Sequence, residues 1–252
     1  MKKIIAAVFF ICVLFSCKKE NPKVEDPVIQ PVTTGDLKGK VYQYDQYGNA
    51  YVTGLNTTTV TIDSIGKTTV TDAEGRYSFT GISSGIYTIL FKKPGSGVIK
   101  LKGVNYTFID TSTYNAEIAD IPSFLITTAY LKDTSWFTTP LPGIYYNANI
   151  SPANTKAKFV AIIGKSANIS LADPTSYIKF STATGFGTTD YARFISYNFL
   201  STSYGFPKDS IIYVKLYPVA STGASYYDND LKKPVFTAYG MPYPVLSIKM
   251  PQ

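Results

Sequence analysis

Residues 71–95 read TDAEGRYSFTGISSGIYTILFKKPG. In the run from Arg76 to Thr80 the large apolar residues fall at every second position. Tyr77 and Phe79 therefore share one face and Ser78 and Thr80 the other, as a half-buried β-strand requires. Tyr87, Ile89 and Phe91 repeat the alternation on what reads as the returning strand. Gly75 and Gly85 stand where a chain reversal calls for positive φ, which glycine adopts without steric cost. The stretch is a device for folding the chain rather than for chemistry.

The same texture continues outward. LKGKVYQYD from Leu37, then NTTTVTID, TTVT, RYSF and IYTILFKK are short runs rich in Thr, Val, Ile, Tyr and Phe, separated by the turn segments QYGNA, DAEG and ISSG. Close spacing of such runs, with no sustained helical period, indicates an all-β fold. Gly39-Lys40-Val41, Thr69-Val70-Thr71-Asp72 with Gly75-Arg76-Tyr77-Ser78-Phe79, and Gly85-Ile86-Tyr87-Thr88-Ile89 together resemble the carboxypeptidase regulatory-like domain. The resemblance spans residues 37–125. It implies a transthyretin-like β-sandwich in which glycines and aromatics are structural, with no catalytic residues to carry over. A related group of sandwich domains forms a Lys-to-Asn crosslink assisted by a buried acid, which directs attention to Lys40, Asn115 and either Glu74 or Glu117. Glu74 reads as a turn residue and Asn115 lacks a strand motif around it, which argues against a crosslink.

After IPSFLITTAYL (residues 121–131), the Pro-rich DTSWFTTPLPG (residues 133–143) suits a domain boundary or exposed loop. The candidate strands beyond it are IYYNANI, KAKFVAIIG, SYIKFSTA, ARFISYNFL, SIIYVKLYPVA and PVLSIKM, with no helix among them. They suggest a second β-sandwich over residues 126–252. IIYVKLYPVASTGASYY (residues 211–227) resembles the last strand pair of a fibronectin type III or immunoglobulin-like domain. In that reading Ile212, Val214 and Leu216 face inward and Tyr213, Lys215 and Tyr217 outward. The early-strand tryptophan of fibronectin type III modules is missing, since the chain's one tryptophan, Trp136, falls in the boundary loop.

The N-terminus sets the compartment. MKKIIAAVFFICVLFSC joins a basic start to an apolar run from Ile4 to Phe15, too short for a permanent span, and reads as a signal peptide over residues 1–16. Leu14-Phe15-Ser16-Cys17 resembles the lipobox of bacterial lipoproteins, which implies cleavage before Cys17 and acylation of that residue. The membrane is thus an expected partner through the N-terminal lipid, with an outer-membrane location facing the periplasm or the cell surface. Residues 17–36, rich in Pro and mixed charge, form a flexible tether. Glu20 resembles the acidic export signals of surface lipoproteins, the alternative being an ordinary solvated linker charge. Cys12 leaves with the signal and Cys17 is committed to lipid, so neither of the chain's 2 cysteines remains for a disulfide, a metal or a nucleophile.

Composition narrows the chemistry further. With 0 histidines, triads, histidine zinc sites and a histidine base are excluded. No phosphate-binding Gly-rich loop is present, and no cofactor is expected. Asp45, Asp72, Glu74, Asp173, Asp190 and Asp209 stand beside turn-forming residues and read as turn side chains. Asp228-Asn229-Asp230 offers closely spaced oxygens but lacks the Gly and distal Glu of a calcium loop, and reads as a solvated turn. The 24 basic residues, only two of them arginine, are scattered against 17 acidic ones and form no tract for nucleic acid.

Aromatics are the positive hint. Of 21 Tyr and 15 Phe, several fall in Gly/Pro-rich loops: Tyr47, Trp136, Phe137, Tyr226, Tyr227, Tyr239 and Tyr243. A flat ring beside polar groups stacks on a sugar face or anchors a protein. Trp136 with Tyr226, Tyr227 and Asp228 is the candidate ligand-binding set. The layout resembles lipoprotein accessories of glycan-uptake systems, which implies a non-catalytic binding or spacer module with polysaccharide as partner. An adhesive protein contacting other envelope proteins, or a weak hydrolase built on a carboxylate pair, are the alternatives.

Overall fold

A computed structural model describes residues 33–109, 113–133, 143–184 and 190–251. The signal segment, Cys17, most of the tether and Trp136 lie outside the described residues.

The first half holds β1 (Thr34–Tyr44), β2 (Thr59–Ile62), β3 (Lys67–Val70), β4 (Arg76–Ser83), β5 (Gly85–Lys92), β6 (Val98–Tyr106) and β7 (Ala116–Ala119). The second holds β8 (Leu125–Asp133), β9 (Gly143–Ser151), β10 (Lys158–Gly164), β11 (Ile178–Thr184), β12 (Asp190–Ser196), α1 (Tyr197–Tyr204), β13 (Ile211–Val219), β14 (Ser225–Asp228), β15 (Lys233–Phe236) and β16 (Leu246–Lys249). The all-β reading holds.

In the first half, sheet β4-β1-β7 faces sheet β3-β2-β5-β6. Between them lie Leu37, Val41, Tyr77, Phe79 and Ile118 from one side and Val60, Ile62, Ile89, Phe91 and Ile99 from the other. Full burial of such a side chain contributes about 1.5–3 kcal/mol. The alternation read in residues 71–95 is the observed one: Tyr77, Phe79, Tyr87, Ile89 and Phe91 are all buried.

The connection between those strands differs from the hairpin expected. β4 pairs with β1, placing Phe79 opposite Leu37 and Tyr77 opposite Gly39, whereas β5 pairs with β2 and β6 in the facing sheet. The two strands meet across the core instead of along an edge, with the Tyr77 and Phe91 rings 5.6 Å apart at 70°. Gly75 has the expected positive φ of 78°, but the next positive φ belongs to Gly81 (65°), inside β4 where its register with β1 shifts, and not to Gly85. Gly85 serves packing: a Cβ there would lie 3.2 Å from the Tyr87 ring, whose hydroxyl donates to the Ser83 carbonyl at 2.7 Å.

Asn115, read as lacking a strand, immediately precedes β7, which runs parallel to the end of β1. Its Oδ1 accepts from the Lys40 backbone N–H at 2.8 Å. The chain comes so close at Gly39 that a Cβ would collide with the Tyr114 carbonyl oxygen, to which the Tyr77 hydroxyl also donates at 2.5 Å. Glu74 ion-pairs with Arg76 in the exposed turn.

In the second half, sheet β12-β9-β8 faces sheet β11-β10-β13-β16 across Ile144, Tyr146, Phe159, Ala161, Ile163, Ile212, Val214 and Leu216. A helix interrupts the segment read as the strand ARFISYNFL. Ser196 caps it, its Oγ accepting from Phe199 N at 3.1 Å, Tyr197 and Leu200 are buried one turn apart, and Gly205 ends it with φ 63°. The outward face of β13 is a second correction. Tyr217 is only 2% exposed, because that side of the sheet is covered by a third apolar cluster containing Val160, Ile162, Leu171, Phe236 and Ala238. β10 is thus buried on both faces, which explains its unbroken apolar run FVAII.

Candidate functional site

The first core ends at Ile118 and the second begins at Phe124, and the short link between them is gripped from both sides. Gln46 Oε1 accepts from Ser123 N at 2.7 Å, the Ser221 N–H donates to the Gln46 carbonyl at 3.2 Å, and Lys156 Nζ donates to Asn49 Oδ1 at 2.6 Å. Each half also lends an aromatic to the other. Tyr47 stacks on Phe124 at 5.9 Å and packs against the second core, while Tyr226 packs against the first. At Gly97 the chain meets Thr237 and Ala238 so closely that no Cβ would fit.

Beside this junction, edge strands β6 and β7 face the β14–β15 hairpin and the segment before it across an open groove of about 890 Å³, within the size range of small-ligand sites. The hairpin falls inside a stretch that reads as a small-residue loop. Its turn is built by Asp228, whose Oδ1 accepts from Asp230 N at 3.0 Å and Leu231 N at 3.1 Å. The Asp228 Oδ2 meets Lys102 Nζ at 2.8 Å, and Asp230 meets the same ammonium at 2.8 Å. Asn229 and Asp230 are exposed, as the solvated-turn reading expects, whereas Asp228 at its start is only 4% exposed. The Lys102 hydrogen bond holds the Asp228 carboxyl below the usual range, and Asp228, then Asp230, raise Lys102 in return.

The structure brings together three members of the sequence-derived set. Tyr226 and Tyr227 line the groove and Asp228 lies beneath it; Tyr226 is half-buried, with its hydroxyl pKa raised by burial, and Tyr227 is 58% exposed. Phe137, like Trp136, lies outside the described residues, and the other described loop aromatics are packing residues. Tyr239 contacts Tyr217 edge-on at 5.5 Å, and Tyr47 and Tyr243 lie against the second core. Sequence reasoning missed Lys100, Lys102, Lys158 and Lys179. For the first two the period-2 pattern of VIKLK on β6 was the available signal; for Lys158 and Lys179 there was none.

A second polar cluster lies at the other side of the link. Asp120 accepts from the Tyr51 hydroxyl, from Lys93 Nζ at 2.9 Å and from Ser96 Oγ at 3.0 Å, with Lys93 4.5 Å from the centre of the Tyr51 ring. The bond to Asp120, then burial, push Tyr51 up to about 12; burial acts to raise Asp120, but its three donors outweigh it and hold the carboxyl low. Both Asp120 oxygens are engaged, so the cluster acts as a brace between loops.

No protein-family model matches the chain, and no curated protein matches it. Among solved structures it is similar to a candidate carbohydrate-binding protein from Bacteroides uniformis, at 13% identity over 86% of this chain and 99% of that one, with a TM-score of 0.31. The same values describe its likeness to a DUF3823 family protein from Bacteroides ovatus. A DUF3823 family protein from Parabacteroides merdae is 12% identical over 85% and 98% of the two chains, with a TM-score of 0.29. At TM-scores this low the class rests on the geometry: an all-β protein of stacked sheets with a lateral groove.

Proposed function

We propose that this chain is a non-catalytic, lipid-anchored envelope protein that holds a glycan in the groove between its two sandwiches. Tyr227 carries the proposal: a ring left 58% exposed on the β14–β15 hairpin, in a groove that Asn105, Asn115, Asn229, Ser221 and Thr222 also line. A flat apolar face surrounded by amides and hydroxyls matches the alternating apolar and hydroxylated surfaces of a sugar. The carboxylates of this region favour binding over hydrolysis. Asp228 and Asp230 are tied to Lys102, and Glu117 Oε1 lies 3.5 Å from the Tyr44 hydroxyl, whereas glycoside hydrolysis requires two carboxyls turned on one bond.

The proposal includes the sequence-based layout: acylation at Cys17, a tether over residues 17–36, a carboxypeptidase regulatory-like domain over residues 37–125, an immunoglobulin-like one over residues 126–252, and an outer-membrane location. Trp136 remains in the candidate set on sequence grounds. The test is affinity electrophoresis of the detergent-solubilised full chain in gels containing a broad panel of polysaccharides. Retardation by at least one of them, lost in Tyr227→Ala with unchanged circular dichroism, is the expected result. Migration unaffected by every polysaccharide would discard the reading.

A further inference from the structure

The groove that holds Tyr227 is also a concentration of positive charge. Its lining includes Lys100, Lys102, Lys158 and Lys179 against the single acid Glu117. Lys102 is answered by Asp228 and Asp230. Among the described residues no ion pair engages the other three. Lys158 Nζ donates to the Ser221 carbonyl at 2.7 Å, which leaves its charge unopposed. Lys100 stands two residues before Lys102 on β6, opposite Leu90 of β5, with its neighbours Ile99 and Leu101 turned to the core, so it shares the outward face with Lys102. Lys179 reaches in from the edge strand β11, its Nζ 5.0 Å from the centre of the Phe236 ring, where burial lowers its pKa. Its residue surface remains open to solvent all the same.

Three ammonium groups without an ion-pair partner among the described residues line one concave surface, and a cleft lined mostly by one sign of charge focuses the field on its contents. A neutral sugar would use none of this. An anionic substituent would gain charge-assisted hydrogen bonds from lysines that are otherwise unpaired. We infer that the glycan held here is acidic, with uronate carboxylates or sulfate esters directed at Lys100, Lys158 and Lys179 while a sugar face stacks on Tyr227. This rests on the glycan reading given under Proposed function.

The test measures retention of the detergent-solubilised full chain by polygalacturonate (carboxylate), dextran sulfate (sulfate ester), neutral dextran and polyglutamate. Binding to at least one acidic glycan should be about tenfold tighter than to dextran and weaken about tenfold between roughly 0.05 and 0.5 M NaCl. Lys100→Ala and Lys179→Ala should each weaken it about three- to tenfold, while the double Lys→Arg variant keeps most of it. Which of the two acidic glycans is preferred identifies the anionic group. Dextran binding equal to acidic binding, or alanine variants without effect, would overturn the inference and leave the glycan reading standing. Equal retention by polyglutamate would reduce the groove to an ion exchanger and overturn the inference. Retention by no glycan at all would remove both.

Discussion

Asp72 and Asp228 do the same local job in two regions and end in different places. Each uses Oδ1 to close a turn, Asp72 accepting from Glu74 N at 3.0 Å and Arg76 N at 2.7 Å, Asp228 from Asp230 N and Leu231 N. Each offers Oδ2 to a cation. For Asp72 that cation is Arg76, four residues on, in a pair whose side chains are 64% and 44% exposed. For Asp228 it is Lys102 on the opposite sandwich, with the acid side chain only 6% exposed. Identical turn chemistry therefore gives a surface ornament in one region and a tie across the junction in the other. The neighbouring aromatics are reversed: Tyr77 and Phe79 beside the Asp72 turn are buried, whereas Tyr227 beside Asp228 is open.

That contrast can be broken by substitution. The largest effect is expected for Tyr77→Ala, which empties a buried ring site and should cost about 3–5 kcal/mol in chemical denaturation. Tyr227→Ala should stay within about 0.5 kcal/mol, since its ring is mostly in water. A Tyr227 variant as damaging as the Tyr77 one would mean that the hairpin ring is structural.

The acids should rank the other way. Asp228→Asn should lower Tm by roughly 2–4 °C, because it discharges the buried partner of Lys102. The pH dependence follows from the shifts. Asp228 is depressed in the folded state, so its contribution is complete above the ordinary carboxylate value of 3.8 and is lost as pH falls through the lower folded value. Lys102 is raised, so its contribution holds below the ordinary lysine value of 10.5 and is lost as pH rises through the higher folded value. The Tm difference between wild type and Asp228→Asn should be constant from about pH 5 to 9 and shrink in acid. A difference that grew in acid would contradict the ion pair.

Smallest of all should be Asp72→Asn, which keeps the Oδ1 that closes the turn and removes only the charge facing Arg76, with Tm changed by about 1 °C or less, since exposed pairs contribute little. A loss matching that of Asp228→Asn would erase the distinction between the two turns.

Much of the fold was legible because alternation is local. Tyr77, Phe79, Tyr87, Ile89 and Phe91 could be assigned to the core from their own spacing, and so could Ile212, Val214 and Leu216. The errors arose where the deciding partner was distant. Pairing of β4 and β5 in different sheets and the cover over Tyr217 each depend on a surface contributed from elsewhere in the chain. Helix α1 was a local miss: its Ser196 cap and Gly205 stop were readable, but the strand-like run ARFIS outweighed them.

The sequence by itself determined that this is an all-β chain without histidine chemistry, because strand periodicity and residue supply need no knowledge of neighbours. Only the tertiary structure decided that Tyr226, Tyr227 and Asp228 meet Lys100 and Lys102 at a shared groove. Strand order and the contact between the halves are set by which apolar faces find cover, and that choice is made between segments more than a hundred residues apart.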